Sequence, residues 1–237
     1  MEKQIHFSVD DTFGCFKWLT KNRDNVKTIF DSYVFQFAKE IYNKYGIRTS
    51  FYCMYTDGEF SLTDVPEQWK KEFLENKDWM KFGFHAFDDQ SRYCETDEAR
   101  IASDYGASVS SLKRICGEEC ITNKIRLHYF SASDVAVRYL VKQGIKSLLC
   151  ADDNRGSYDL SPTEEKIMRI EGRYFSEKRN CEYIPTDVRV ENISDIEGVV
   201  EKISCLPGNQ VEIFTHERFL RTESIRETIF SLFDRIL

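Results

Sequence analysis

The run Ile5-His6-Phe7-Ser8-Val9-Asp10-Asp11-Thr12 climbs through apolar residues to two adjacent carboxylates and then breaks into a polar turn. It reads as a first β-strand that delivers Asp10 and Asp11 at its C-terminal end. Neighbouring carboxylates repel each other unless a cation or a hydrogen-bonding partner sits between them, so the pair asks for a metal ion or a shared proton. The chain has four histidines, and three of them, His85, His128 and His216, fall at or near the ends of later expected strands. His6 lies at the start of the first strand and is expected on the opposite face in a structural role. Asp88, Asp89, Arg126, Asp152 and Asp153 accompany the three rim histidines. Carboxylates and imidazoles converging on one mouth are the composition of a divalent-metal hydrolytic site.

The elements that must position these groups follow from periodicity. Beyond the first strand, strands are expected over 48–55, 82–84, 124–130, 146–150, near 183–190 and over 211–214. Val26, Ile29, Phe30, Tyr33, Val34, Phe37 and Ile41 recur at three- and four-residue steps, which predicts a helix from about Asp24 to Tyr45 closed by Gly46. Further helices are expected after Asp64 and Pro66, over 96–115, after Ser131 or Ser133 up to Gly144, after the capping box Ser161-Pro162-Thr163-Glu164, over 194–204 and over 222–236. Strand and helix alternating about seven times imply parallel strands with helical crossovers. No glycine-rich phosphate loop follows the first strand, which removes the commonest reason to expect an open nucleotide-binding sheet. In a closed barrel, functional groups collect at the C-terminal ends of the strands. Arg126 and His128 are two apart on an expected strand and so point the same way. An interior Arg126 requires a partner, expected to be Asp10 and one of Asp152 or Asp153.

Composition narrows the function. The 237 residues contain no Gly/Ser-rich linker, so a single domain over 1–237 is expected. A net charge of −7 argues against a nucleic-acid partner. No window is apolar over about 18 residues, so no membrane span is expected. Met1 leads almost directly into the first strand, leaving no room for a signal peptide, and a cytoplasmic location is expected. The eight cysteines include no C-x-x-C pair and are expected to be reduced and mostly buried. The oligomeric state is not readable from this pattern.

Phe7-Ser8-Val9-Asp10-Asp11-Thr12 resembles the T-F-D-D-G motif of the polysaccharide deacetylases, the NodB-homology domain of carbohydrate esterase family 4. His85-Ala86-Phe87-Asp88-Asp89 falls where that family has H-[ST]-x-x-H, Arg126-Leu127-His128-Tyr129 where it has R-x-P-[YF], and Phe214-Thr215-His216 on its late L-x-H motif. The resemblance implies an α/β fold of a particular kind, a distorted seven-stranded β/α barrel. It implies a metal-dependent hydrolase acting on an N- or O-acetylated carbohydrate or sugar-containing metabolite. Asp10 would be the general base, Arg126 its orienting partner and His216 the general acid. Asp11 and His85 would hold a divalent metal ion, zinc first, with manganese, iron or cobalt as alternatives. Asp89 stands where the family's second metal histidine belongs, so either Asp89 or His128 is expected to complete the site. Thr12-Phe13 replaces Gly-Pro, and His128 replaces the proline of the third motif. These departures keep a second reading open, a non-catalytic carbohydrate-binding relative with a degenerate metal site. A metal-free glycosidase is disfavoured because its two acids must flank the scissile bond from separate positions.

Overall fold

The computed structural model describes residues 3–153 and 155–237. Among these residues, parallel strands alternate with helices along most of the chain. The first half runs β1 (Gln4–Thr12), α1 (Gly14–Lys21), α2 (Tyr33–Tyr45), β2 (Thr49–Met54), α3 (Lys70–Glu75), β3 (Met80–Ala86) and α4 (Glu98–Cys116). The second half runs β4 (Lys124–Ile125), α5 (Asp134–Lys142), β5 (Ser147–Leu149), α6 (Pro162–Glu171), β6 (Tyr174–Ser176), β7 (Cys181–Ile184), β8 (Val188–Arg189), α7 (Ile196–Cys205), β9 (Gln210–His216) and α8 (Glu223–Ile236).

Hydrogen bonding orders the strands β3-β2-β1-β9-β8 in one sheet and β4-β5-β7-β6 in another. Every pair is parallel except β6 with β7. The sheets meet in two places. On one side Phe82 of β3 bridges Ile121 just before β4, and the Thr122 N–H donates to the Phe82 carbonyl at 2.9 Å. Gly83 permits that approach, because a Cβ there would stand 2.9 Å from Thr122 and 3.0 Å from Ile125. On the other side the expected sixth strand is divided. Its first half, β7, pairs with β5, and its second half, β8, pairs with β9. Pro185, which has no N–H to offer a ladder, lies at the break. One stretch of chain therefore serves both sheets, which remain two separate ladders.

Local chemistry sets the element ends. Gly46 adopts φ 68° and closes α2, and Ser161 and Glu164 form the expected capping box with Pro162 at the start of α6. The helix expected from Asp24 begins only at Tyr33. Thr28 and Asp31 close a capping box around the short turn Ile29–Asp31, and Ser32 is extended, which interrupts the periodic pattern. Between the strands and the helices, Phe7 packs edge-on against Phe233 of α8, and Phe35 of α2 packs edge-on against Phe51, Phe73 and Phe82. All eight cysteines are free, and six of them are buried.

The interior between the sheets is polar. Alternate residues of β1 face it, so Phe7 and Val9 join the apolar core while His6, Ser8 and Asp10 point to charged partners. Arg126 is fully buried there. Its Nη1 donates to Asp10 Oδ1 at 2.8 Å and to Ser8 Oγ at 2.8 Å, and its Nη2 donates to Thr186 Oγ1 at 3.1 Å. The guanidinium lies 4.3 Å from the centre of the Phe214 ring. The expected contact with Asp152 or Asp153 is not made. Strand β5 ends at Leu149 and the chain turns outward, so Asp152 pairs with Arg189 and Asp153 with Arg155.

Below Arg126, at the N-terminal end of the strands, Glu212 forms a second buried network. It lies 2.5 Å from His6 Nδ1 and 3.0 Å from Lys124 Nζ. Burial by itself would raise its pKa, but His6 and Lys124 outweigh burial and hold the carboxyl at about 2 against an ordinary 4.5. A depressed folded value stabilises the fold above the unfolded value, near 4.5, and the contribution drains away as the pH falls toward 2. Glu212→Gln is expected to lower stability at pH 7 by about 1–3 kcal/mol and to flatten the stability profile between pH 4.5 and pH 2. A series of urea titrations across that window measures both effects.

Candidate metal centre

The site begins with an irregularity in β1. Along β2 the register runs Val9 to Phe51 and then Thr12 to Cys53, so two residues, Asp10 and Asp11, stand opposite Tyr52. Asp11 takes φ 53°, in the left-handed region. In a regular strand Asp10 and Asp11 would point to opposite faces. The bulge turns Asp11 back toward the rim that Asp10 already faces, as bulges do beside sites where a side chain must be re-aimed. A left-handed conformation costs a non-glycine residue about 1–3 kcal/mol. Thr12 Oγ1 donates to the Val9 carbonyl at 2.9 Å and closes the bend.

Two histidines meet Asp11 from neighbouring strand ends. His85, near the end of β3, is 2 % exposed. Its Nδ1 lies 2.6 Å from the Arg126 carbonyl, which only accepts, so Nδ1 carries a proton and Nε2 is the ring atom turned to Asp11. Nε2 lies 3.2 Å from Asp11 Oδ1. His128 follows β4 in a turn where Tyr129 takes φ 59° and Phe130 φ 54°, and its Nε2 stands 3.9 Å from the same oxygen. One ligand atom from each of Asp11, His85 and His128 lies within 4.8 Å of the others. Asp11 Oδ1 and His128 Nδ1 are buried without a hydrogen-bond partner. A buried carboxylate oxygen without a hydrogen-bond partner, facing two imidazoles, fits a divalent cation bound by one oxygen and two nitrogens.

The electrostatics agree with that fit. Burial opposes charge on Asp11, yet the surrounding histidines, His85 foremost, hold its carboxyl well below the usual carboxylate range. Burial also works against a charged His85, but Asp11 and Asp10 more than offset it and raise its pKa. Burial and the neighbouring His85 push His128 down to about 4, so at neutral pH it is uncharged with a lone pair to offer. The His85 bond to the Arg126 carbonyl is the kind of outer contact that fixes a metal-binding tautomer.

Asp89 is not part of this group. It is exposed in the turn after β3, where its carbonyl accepts from the Tyr129 hydroxyl at 3.2 Å. Asp88 is occupied by the Gln90 N–H and the Ser91 hydroxyl. Of the two third-ligand candidates, the fold brings His128 to Asp11 and His85 and leaves Asp89 in solvent. Asp10 is 1 % exposed against Arg126, and in the β1–β9 register it stands opposite His216. His216 Nδ1 is in hydrogen-bond contact with Glu191 Oε1, and Thr215 Oγ1 donates to Glu191 Oε2 at 2.9 Å.

Two acids at the site stand outside the set of candidates. Glu191 sits in a short turn after β8, with no motif around it. Glu217 is 4 % exposed and accepts from the Phe13 and Gly14 N–H groups at 2.6 and 2.8 Å, which fastens the start of α1 beside the rim. Its adjacency to His216 was the only pointer. His85→Ala and His128→Ala are each expected to lose stoichiometric metal, whereas Asp89→Asn retains it. Elemental analysis of protein purified without chelator reads the difference.

No family model and no curated protein matches the chain. Solved structures do. A protein from Mycobacterium smegmatis described as a polysaccharide deacetylase is 12 % identical with a TM-score of 0.59, over 98 % of this chain and 85 % of that one. The T48 deacetylase, solved with substrate, is 12 % identical with a TM-score of 0.52, over 99 % and 84 %. A 4-alpha-glucanotransferase from Thermococcus litoralis is 15 % identical with a TM-score of 0.59, but the match covers 99 % of this chain and only 37 % of that enzyme. At these identities the likeness is one of fold, and one fold hosts more than one chemistry. The chain has the α/β fold of the polysaccharide deacetylases, the family that its Asp10-Asp11, His85, Arg126 and His216 motifs resemble.

Proposed function

We propose that this protein is a metal-dependent hydrolase that removes an acetyl group from an N- or O-acetylated sugar. The observation that carries the reading is the convergence of Asp11, His85 and His128 on one bare buried oxygen, beside a carboxylate held by a buried arginine. A divalent ion held by those three residues would supply Lewis acidity to the acyl carbonyl and make a water acidic enough to lose its proton near neutral pH. Asp10 accepts that proton. Arg126, bonded to Asp10 Oδ1, fixes the carboxylate's position. His216 stands across the β1–β9 register from Asp10 with its Nδ1 engaged by Glu191, which leaves Nε2 to give a proton to the departing amine or alcohol. The Glu191 carboxyl lies below its ordinary range; burial opposes this, and His216 outweighs burial.

No helix among the described residues is long and apolar enough to cross a membrane, which is compatible with a carbohydrate substrate met in water. Asp10→Asn is expected to lose on the order of 10²-fold or more in turnover on acetylated amino sugars while metal content persists. Stripping the ion with a chelator should abolish acetate release, and zinc, manganese or cobalt should restore it. Stoichiometric metal with no acetate release from any acetylated sugar would assign the site to binding alone.

A further inference from the structure

One buried acid has no part in the chemistry above. Glu217 opens the turn Glu217–Arg221 directly after His216 and is 4 % exposed. Its Oε2 accepts from the Phe13 N–H at 2.6 Å and from the Gly14 N–H at 2.8 Å. Its Oε1 is buried without a hydrogen-bond partner among the described residues. Burial raises the pKa of this carboxyl; the N–H groups of Phe13, Gly14 and Cys15 work against burial, and Arg221 adds least. A carboxyl buried chiefly against backbone N–H groups is costly to keep, so what it holds in place is the question.

The residue at the N-cap of α1, Phe13, makes no side-chain cap bond. A serine or aspartate there would satisfy the first N–H groups locally and tie the helix only to itself. Glu217 satisfies them from 204 positions along the chain and so ties the start of α1 to the end of β9. Docking of the helix does not require this, because Cys15, Phe16 and Leu19 already bury its inner face. Between the two tied points lies the bend that carries Asp11. The β1–β9 register ends with Asp10 opposite His216, and the β1–β2 register resumes at Thr12. Asp11 stands between them at φ 53°, two residues before Phe13. The Thr12 hydroxyl on the Val9 carbonyl closes the bend from the strand side, and Glu217 closes it from the helix side. With the Phe13 N–H released, the backbone at Asp11 can return to the conformations that a non-glycine residue prefers, which turns its carboxylate away from His85 and His128.

We propose that Glu217 is a positioning residue: by holding the first turn of α1 against the end of β9, it keeps Asp11 in the left-handed conformation that presents its carboxylate to His85 and His128. The inference rests on the metal-dependent reading of that group. The donors are backbone N–H groups, so the clamp needs an acceptor oxygen at the right reach rather than a charge.

The test is zinc affinity, measured by competition with a chromogenic chelator, in the full chain and in Glu217→Gln, Glu217→Asp and Glu217→Ala. Melting temperatures of the same zinc-free samples accompany it. Glu217→Gln keeps the reach and an acceptor oxygen and should stay close to the unsubstituted affinity. Glu217→Asp keeps the charge but is one methylene short, and Glu217→Ala has no acceptor. Both should bind zinc about tenfold to a hundredfold more weakly, the affinity equivalent of re-forming the left-handed Asp11 on binding. The visible spectrum of the cobalt-loaded protein should change in the same two variants and not in Glu217→Gln. A lowered melting temperature with unchanged zinc affinity makes Glu217 an ordinary helix cap and overturns the proposal. Glu217→Gln as weak as Glu217→Asp also overturns it, because the charge would then be what matters. Unsubstituted protein that binds no zinc defeats the metal-dependent reading together with this inference, whereas tight binding shared by Glu217→Asp and Glu217→Ala defeats the inference alone.

Discussion

The arrangement depends on one buried charge. Arg126 has no exposed surface, and an isolated guanidinium in such a place would cost far more than the fold can supply. It is tolerated because Asp10 and Ser8 meet its Nη1, Thr186 meets its Nη2 and the Phe214 ring covers its face. Those partners come from β1, from the break between β7 and β8, and from β9. The arginine therefore draws both sheets together, and the requirement to pair it holds Asp10 in place. Its backbone carbonyl does a second task by fixing the proton of His85. One residue thus orders both the candidate base and a candidate metal ligand. A buried ion pair of this kind gives little net stability, so its contribution here is better seen as positional.

The second constraint is backbone strain at the rim. Asp11, Tyr129 and Phe130 all take left-handed conformations without being glycine. Asp11 lies near the end of β1, and Tyr129 and Phe130 follow β4 in the turn that carries His128. The bulge at Asp10 and Asp11 overcomes the alternation of a regular strand, and the turn at Tyr129 lets His128 reach Asp11 although β4 itself is only two residues long. The surrounding core, rich in interlocked aromatic rings, supplies the stiffness that holds these positions.

Likeness to solved proteins identifies the architecture and leaves the chemistry to the residues. Deacetylases and a glucanotransferase share this fold with the chain at similar scores, so the assignment of a reaction rests on what Asp10, Asp11, His85, Arg126, His128 and His216 do together.

Much of this was legible along the chain. The alternation of strands and helices, the helix faces, the Gly46 and Ser161 caps and the Asp10-Asp11 pair follow from local spacing and local conformational preference, which act over a few residues. So does the pairing of Arg126 with Asp10, because an interior arginine must find an acid. What spacing could not reveal depends on contacts between distant residues. The choice of His128 over Asp89 turns on the tight bend after β4, the loss of Asp152 and Asp153 as partners of Arg126 turns on the chain leaving the interior after Leu149, and the splitting of the sixth strand turns on its serving two sheets at once. Glu191 and Glu217 have no local pattern at all; they matter only because the fold sets one against His216 and the other against the first turn of α1. Local sequence determined which groups were on offer and on which elements they lay, and tertiary packing decided which of them met, since distance across the interior is set by how strands bend and end.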